Sequence, residues 1–231
     1  MSKERNGKPH KRPVVFCDFD GTITHSDNIV AIMHHFKPPG YEAILEDTIA
    51  GRKSIRRGVG EMFALLPSSK KEEIRRFVTD NVRIRDGFAD LLQYCEERDI
   101  PFYITSGGID FFVLPVLEPF RIDPAHIYCN SADFSGPNIE ILWPHPCDET
   151  CGNDCGMCKV RVIRRFPADR HFRILIGDSL TDYAGARIAD LVFARSSLAR
   201  RCKELNLPHI EYETFHDVVA GLKDLEGAKS S

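Results

Sequence analysis

The chain has 231 residues, 42% of them hydrophobic, and a formal net charge of −3. That length holds one α/β domain plus an insertion, and the hydrophobic share supports a real core. The charge gives no case for a nucleic-acid partner, and no run approaches the ~18 apolar residues of a membrane span.

Residues 1–12, with Lys3, Arg5, Lys8, Lys11 and Arg12, read as a solvated basic tail; without an apolar stretch they are no signal peptide. A soluble, cytoplasmic protein is expected. Val14-Val15-Phe16-Cys17 is a strand that runs into Asp18-Phe19-Asp20-Gly21-Thr22. Ligands of parallel sheets sit outside the carboxyl ends of the strands. Alternate strand residues face one side, so Asp18 and Asp20 start out aimed at one cleft. Two carboxylates held together can divide the labour, one attacking or holding a metal, the other moving a proton. Alone, such a segment is equally well an ordinary turn.

Helical patterns follow. Asp27 to Phe36 carries Ile29, Ile32, Met33 and Phe36 on one face, and Pro38-Pro39-Gly40 breaks it. Tyr41 to Ala50 is the second, and Ser54 to Leu66 the third, loosened at Gly58 and Gly60. A fourth follows Pro67; its Ser69 and Glu72 have capping-box spacing, and Ile74, Phe77 and Val78 form its apolar side. About 60 helical residues exceed an ordinary crossover loop. They read as a helical cap over 26–83, inserted into a core made of 13–25 and 84–231.

The core pattern resumes near Arg85-Asp86-Gly87 with a helix from Phe88 to Arg98. Pro101 to Thr105 is a strand ending in Ser106-Gly107-Gly108, where a hydroxyl and small-residue N–H groups suit phosphate oxygens. The helix Ile109 to Leu117 opens towards the same place. His126 to Phe134 and Asn138 to Trp143 alternate like an extended pair. The helix Lys159 to Phe166 leads to the strand Phe172 to Ile176 and to Gly177-Asp178-Ser179-Leu180-Thr181-Asp182, a third strand end with two carboxylates for a cation. Helix Thr181 to Ala189, strand Leu191 to Ala194, helix Leu198 to Leu205 and a helix near Thr214 to Leu225 complete the chain. The alternation predicts a parallel, doubly wound α/β sheet. A nucleophile candidate, an acid/base, an anion-binding Ser and Lys and an acidic metal site together make a phosphoryl-transfer site.

Four of eight cysteines crowd into one loop, Cys147, Cys151, Cys155 and Cys158, with Gly152 and Gly156 permitting tight turns. Three readings stay open: one structural zinc, free thiols or a redox pair, and an iron–sulfur cluster. Cys158 adjoins Lys159, so whatever fixes the loop fixes the lysine. Cys17, Cys95, Cys129 and Cys202 read as small buried hydrophobes. His25 and the charged face of Arg52, Arg56 and Arg57 are substrate-contact candidates, weighed against plain solvation.

The order and spacing of Asp18 to Thr22, Ser106, Lys159 and Asp178 to Asp182 resemble the haloacid dehalogenase superfamily of aspartate-nucleophile phosphatases. The resemblance implies a Rossmann-like core with Asp18 as nucleophile and Asp20 as acid/base. It implies Ser106, Gly107 and Lys159 on the phosphoryl oxygens. Magnesium would be held by Asp18, Asp178 and the Asp20 backbone carbonyl, with Asp182 behind it. A halide leaving group needs no proton, so Asp20 favours a phosphatase or mutase over a dehalogenase. The segments FCDFDGTIT, Asp27-Asn28-Ile29, GVGEMFALLPSS, IPFYITSGGIDFFV, IYCN, the WPHPC…CGMCK loop and IGDSLTD extend the resemblance to the phosphatases of methionine salvage. This implies a small phosphorylated metabolite, an enol phosphate with a methylthio tail, as partner; no membrane partner is expected from the composition, and monomer or homodimer stays open. The alternative is a phosphoserine-phosphatase-like enzyme, with Glu42, Glu46, Arg52 and Arg56 as candidates to meet an ammonium and a carboxylate. A non-catalytic binding module is disfavoured by the intact Asp18, Asp20, Lys159 and Asp178.

Overall fold

Among the described residues, seven strands form one sheet in the order β4-β3-β2-β1-β5-β6-β7. They are β1 (Arg12–Cys17), β2 (Phe102–Ile109), β3 (Ile127–Asp133), β4 (Glu140–Leu142), β5 (His171–Gly177), β6 (Leu191–Ala194) and β7 (His209–Glu211). The computed structural model describes residues 11–230. All neighbours run parallel except β4, which pairs antiparallel with β3. The chain builds outward from β1 on one side through β2 and β3, then on the other through β5 to β7. That reversal opens a crevice at the carboxyl end of β1.

β1 is covered on both faces, which is why it reads as an unbroken apolar run. Val15 and Cys17 join Ile174 and Ile176 of β5 in one core, while Val14 and Phe16 join Leu175 and Val192 in the other. Burying a Val, Ile, Leu or Phe side chain is worth about 1.5–3 kcal/mol, so the central strands carry much of the fold.

Four helices stand between β1 and β2 in the chain: α1 (Asn28–Phe36), α2 (Tyr41–Ile49), α3 (Ile55–Ala64) and α4 (Lys71–Asn81). Asp27 and Ser54 cap α1 and α3, accepting from Val30 N–H at 3.0 Å and Arg57 N–H at 3.2 Å. The helices bury Ile32, Met33, Met62, Phe63 and Ile74 among themselves and against the core. The way in and the way out lie side by side. Thr24 bridges Ile84 antiparallel, His25 N–H donates to Arg83 O at 3.0 Å, and Arg85 N–H to Ile23 O at 2.8 Å. The sheet is flanked by α5 (Phe88–Glu97), α6 (Asp110–Leu117), α7 (Lys159–Arg164), α8 (Tyr183–Ala186), α9 (Ser196–Glu204) and α10 (Phe215–Ser230).

Several elements differ from the sequence expectation. β1 starts at Arg12, and Lys11 lies 3.4 Å from Asp190, so the expected tail reaches into the core at its end; residues 1–10 lie outside the described part. β2 does not end at Thr105 but continues to Ile109, with a register shift against β3 between the two. Glycines at such an irregularity belong to the strand rather than to a turn after it. α3 is not loosened at Gly58 and Gly60; a Cβ at Gly58 would collide with the Thr48 side chain, so this glycine lets α2 and α3 touch. The Ser69–Glu72 capping box is absent. Ser68–Lys70 is a 3₁₀ turn and α4 begins at Lys71 without a side-chain cap. The helix expected from Thr181 to Ala189 shrinks to α8, after a 3₁₀ turn at Leu180–Asp182 closed by reciprocal Ser179 and Asp182 hydrogen bonds.

Candidate active site

Register sets the site. Cys17 lies beside Ile104 of β2 and Ile176 of β5, so Asp18 emerges between the Thr105-Ser106 and Gly177-Asp178 strand ends. Asp18 is 3% exposed, and its N–H donates to Ile176 O at 2.9 Å. Lys159, the first residue of α7, places Nζ 2.6 Å from Asp18 Oδ1 and also hydrogen-bonds Asp182 Oδ1. The second oxygen of Asp182 accepts from the N–H groups of Asp178 and Ser179 at 3.1 Å each. Thr22 Oγ1 donates to Asp178 Oδ1 at 3.2 Å. Between them, Gly21 has φ +79, and a Cβ there would lie 2.5 Å from Asp178 Oδ2, so only glycine fits this close approach.

One oxygen each from Asp18, Asp178 and Asp182 lies within 4.8 Å of the others. Burial, then repulsion from Asp182, pushes Asp18 well above the usual carboxylate range, against the pull of Lys159. The same two causes push Asp178 up to about 6. Burial alone would depress Lys159; the carboxylates of Asp18 and Asp182 reverse this and hold its ammonium above the ordinary value. Three carboxylates against one ammonium leave negative charge crowded in a buried place. A divalent cation with hard oxygen ligands relieves that crowding, so the donor set fits magnesium.

Asp20 points elsewhere. Its Oδ1 accepts from Asn28 Nδ2 at 2.7 Å and from Asn28 N–H at 3.0 Å, at the start of α1. The metal contact expected of Asp20 is its backbone carbonyl, not this carboxylate. Burial, reinforced by the Asp27 carboxylate, pushes Asp20 up to about 7 despite the two bonds from Asn28. A carboxyl poised there can give and take a proton near neutrality.

Ser106 is fully buried and its Oγ accepts from Gly108 N–H at 2.9 Å. A Cβ at Gly108 would lie 2.8 Å from Asp20 Oδ2 and 3.0 Å from Ser106 Oγ, so both groups converge on this one glycine. Asn130 Nδ2 holds the Gly107 carbonyl at 2.7 Å.

Above Asp18, Asp20 and Gly107 lies a cavity of about 130 Å³. Ile29 and Val30 of α1, Leu45 of α2, and Ile55, Val59 and Met62 of α3 form its walls, with Ile49 in the lining. Among the described residues, its lining contains no Lys, Arg or His. The candidates expected there from sequence lie outside it. Arg52 pairs with Asp47 at 2.7 Å and Glu46 at 3.2 Å, Arg57 with Glu61 at 2.7 Å, and Arg56 approaches Asp154 at 3.5 Å. Glu42 and His25 are exposed and outside the lining as well.

Two supporting residues, Arg85 and Arg195, escaped the sequence reading. Arg85, 4% exposed, donates to Thr22 O at 2.8 Å, Gly21 O at 3.0 Å and Thr24 O at 3.3 Å, pinning the turn after Asp18. Arg195 Nη1 adds a bond to Gly21 O at 2.9 Å. Asn28 belongs to the Asp27-Asn28-Ile29 segment that carries the resemblance, but its two bonds to Asp20 were not legible there. The four loop cysteines do come together, their sulfurs within 4.8 Å of one another. Cys17, Cys95, Cys129 and Cys202 are buried singly, as small hydrophobes would be.

A family model described as haloacid dehalogenase-like hydrolase matches residues 15–187. A 2-hydroxy-3-keto-5-methylthiopentenyl-1-phosphate phosphatase of Brevibacillus brevis is 53% identical over 216 residues, covering 94% of this chain and 97% of that one. The enzyme of the same name from Geobacillus kaustophilus is 51% identical, covering 94% of this chain and 98% of its own. Among solved structures, a phospho-aspartyl intermediate analogue of phosphoserine phosphatase superposes with a TM-score of 0.67. It covers 91% of this chain and 99% of that one at 16% identity, a likeness of fold alone.

Proposed function

The chain belongs to the haloacid dehalogenase-like hydrolases, and we propose that it hydrolyses 2-hydroxy-3-keto-5-methylthiopentenyl 1-phosphate in methionine salvage. The products are 1,2-dihydroxy-3-keto-5-methylthiopentene and phosphate. The observation that carries the choice of substrate is the cavity: an acidic floor for phosphoryl transfer under an apolar wall that suits a methylthio tail. Relatives of that name at 53% and 51% identity support it. Phosphoserine would need a cation for its carboxylate, and the lining offers none among the described residues.

Asp18 attacks phosphorus in line through Oδ2, which has no hydrogen bond among the described residues, while Lys159 holds Oδ1. The phosphorus–oxygen bond to the leaving group breaks, and Asp20 supplies the proton that oxygen needs. Asp20 then takes a proton from water as the water attacks the aspartyl phosphate, freeing phosphate and Asp18. Lys159, the Ser106 hydroxyl and the Gly107 N–H hold the equatorial oxygens; Arg85 and Arg195 keep the Asp18 turn in place. Asp18, Asp178 and the Asp20 backbone carbonyl would hold magnesium, with Asp182 fixing Lys159 and the Asp178 backbone. Bound there, the ion supplies charge neutralisation between the nucleophile and the phosphoryl group.

Residues 26–83 act as a cap that encloses the substrate, and 13–25 with 84–231 as the catalytic core. The paired passages at Thr24 and Ile84 support this division. The partner is a small phosphorylated metabolite, met by a monomer or homodimer. Among the described residues no helix is long and apolar enough to cross a membrane, and none of the eight cysteines is in a disulfide, which suits a reducing cytoplasm. The test is phosphate release from the methylthio enol phosphate and from phosphoserine, with magnesium. The reading expects kcat/KM at least about 100-fold higher for the enol phosphate. Equal or faster hydrolysis of phosphoserine would overturn it.

A further inference from the structure

Nothing in the phosphoryl-transfer site uses the cysteine loop. Residues 143–158 hold no helix or strand, a long stretch to keep ordered beside a catalytic helix. Within it, the sulfurs of Cys147, Cys151, Cys155 and Cys158 lie within 4.8 Å of one another, and those of Cys147 and Cys151 are 3.7 Å apart. A tetrahedron with metal–sulfur bonds of about 2.3 Å has sulfur–sulfur edges of about 3.8 Å. None of the four is in a disulfide, whose sulfurs would lie about 2.05 Å apart. We propose that these four cysteines hold one zinc ion, and that the metal-bound loop is a clasp joining α3 to α7.

The surroundings are those of a built site. Cys151 and Cys158 are 6% and 0% exposed, and Cys147 and Cys155 half-buried. Cys155 N–H donates to Cys147 Sγ at 3.3 Å, the kind of outer bond that orients a ligand. Asp154 and Gly156 adopt φ of 50 and 79, which folds the chain back between the last sulfurs. A Cβ at Gly156 would meet the Trp143 ring at 2.6 Å, so glycine is required there. Zinc with four thiolates carries a net charge of −2, and α7 brings two cations to the loop. Arg161 Nη1 donates to Pro146 O at 3.2 Å, and Arg164 lies 3.7 Å from Asp148. Soft thiolates select zinc over the hard cation that suits the carboxylate cluster.

The loop also touches both elements it is proposed to join. On the α3 side, Ser54 Oγ donates to Asp154 Oδ2 at 2.6 Å and Arg56 N–H to Asp154 O at 3.2 Å. The Arg56 guanidinium lies 5.8 Å from the centre of the Trp143 ring. On the α7 side, Cys158 donates its N–H to His145 O at 2.8 Å and is followed at once by Lys159. A metal at the four sulfurs thus fixes the first residue of α7 and the capped end of α3 together.

The test starts from metal content. Protein purified in reducing, chelator-free buffer without added metal is analysed for zinc, iron and copper. One zinc per chain, falling to background in the Cys151→Ser/Cys155→Ser variant, is the expected result. Iron or copper in place of zinc, or no metal with all four thiols titrating in the native protein, overturns the proposal. The clasp is read by hydrogen exchange. The zinc-free variant should exchange faster in the first turns of α3 and α7 and be unchanged in α10. Asp154→Ala should keep its zinc and speed exchange only in the first turn of α3. Unchanged exchange at α3 in Asp154→Ala removes the clasp; because that variant keeps all four cysteines, the result stands even where the double variant fails to fold.

Discussion

Asp18 and Asp20 are two residues apart and chemically alike, and their surroundings separate them. Asp18 lies against the Lys159 ammonium and the other carboxylates, whereas Asp20 faces Asn28. With its carboxyl pushed up to about 7, Asp20, the proposed acid, is protonated at lower pH and loses its proton as pH rises through that value. Turnover of the enol phosphate should therefore fall as pH rises above about 7, where leaving-group protonation limits the rate. Asp20→Asn should cost about 100-fold on that substrate and remove the alkaline limb. On p-nitrophenyl phosphate, whose leaving group needs little protonation, the loss should be much smaller. An unchanged pH profile in Asp20→Asn would count against the assignment. These acidic positions were legible because they stand at strand ends that the apolar runs locate. Arg85 was not: among Arg83, Ile84, Arg85 and Asp86 nothing marks one arginine as the buried partner of carbonyls some 60 residues earlier in the chain.

At the scale of elements, the helices of 26–83 were legible by period, but what they enclose was not. Ile29 read as part of an apolar helix face; three helices must be assembled before it joins Leu45, Val59 and Met62 in a cavity wall. α4 was misplaced at its start because a Ser and a Glu at capping distance compete with the 3₁₀ turn that the chain adopts. β7 has three residues, too few to show alternation, and it pairs with β6 only through tertiary context. The wall yields a test that spares the fold. Ile49 lines the cavity yet is 66% exposed, so Ile49→Ser removes little core. Losing about 1–2 kcal/mol of apolar contact should raise KM for the methylthio substrate about tenfold. KM for acetyl phosphate, which has no tail, should stay put. Equal effects on both would place the tail elsewhere.

Across the whole molecule, the doubly wound sheet was the most legible feature, since it follows from alternating strand and helix patterns alone. It gathers side chains as distant in sequence as Asp18 and Asp178 and sets their charge against stability. Asp178 and Asp20 bind protons up to about 6 and about 7, above an unfolded carboxylate near 4. The folded state thus holds protons that the unfolded state has released, and stability falls as pH rises from about 4 through these values. Melts in EDTA should show Tm declining between pH 5 and pH 7.5, and magnesium should restore more at the higher pH, where the carboxylates are ionised. A Tm that rises over this interval in EDTA would contradict the charge account. The central claim is that phosphate leaves through a covalent bond to Asp18. The direct measurement is acid quench of the enzyme turning over a substrate labelled in its phosphoryl group, followed by mapping of the label. The account predicts label on the peptide carrying Asp18, and none, with turnover at background, in an Asp18→Asn protein that keeps its fold. Full turnover in Asp18→Asn, or label on another residue, would contradict it.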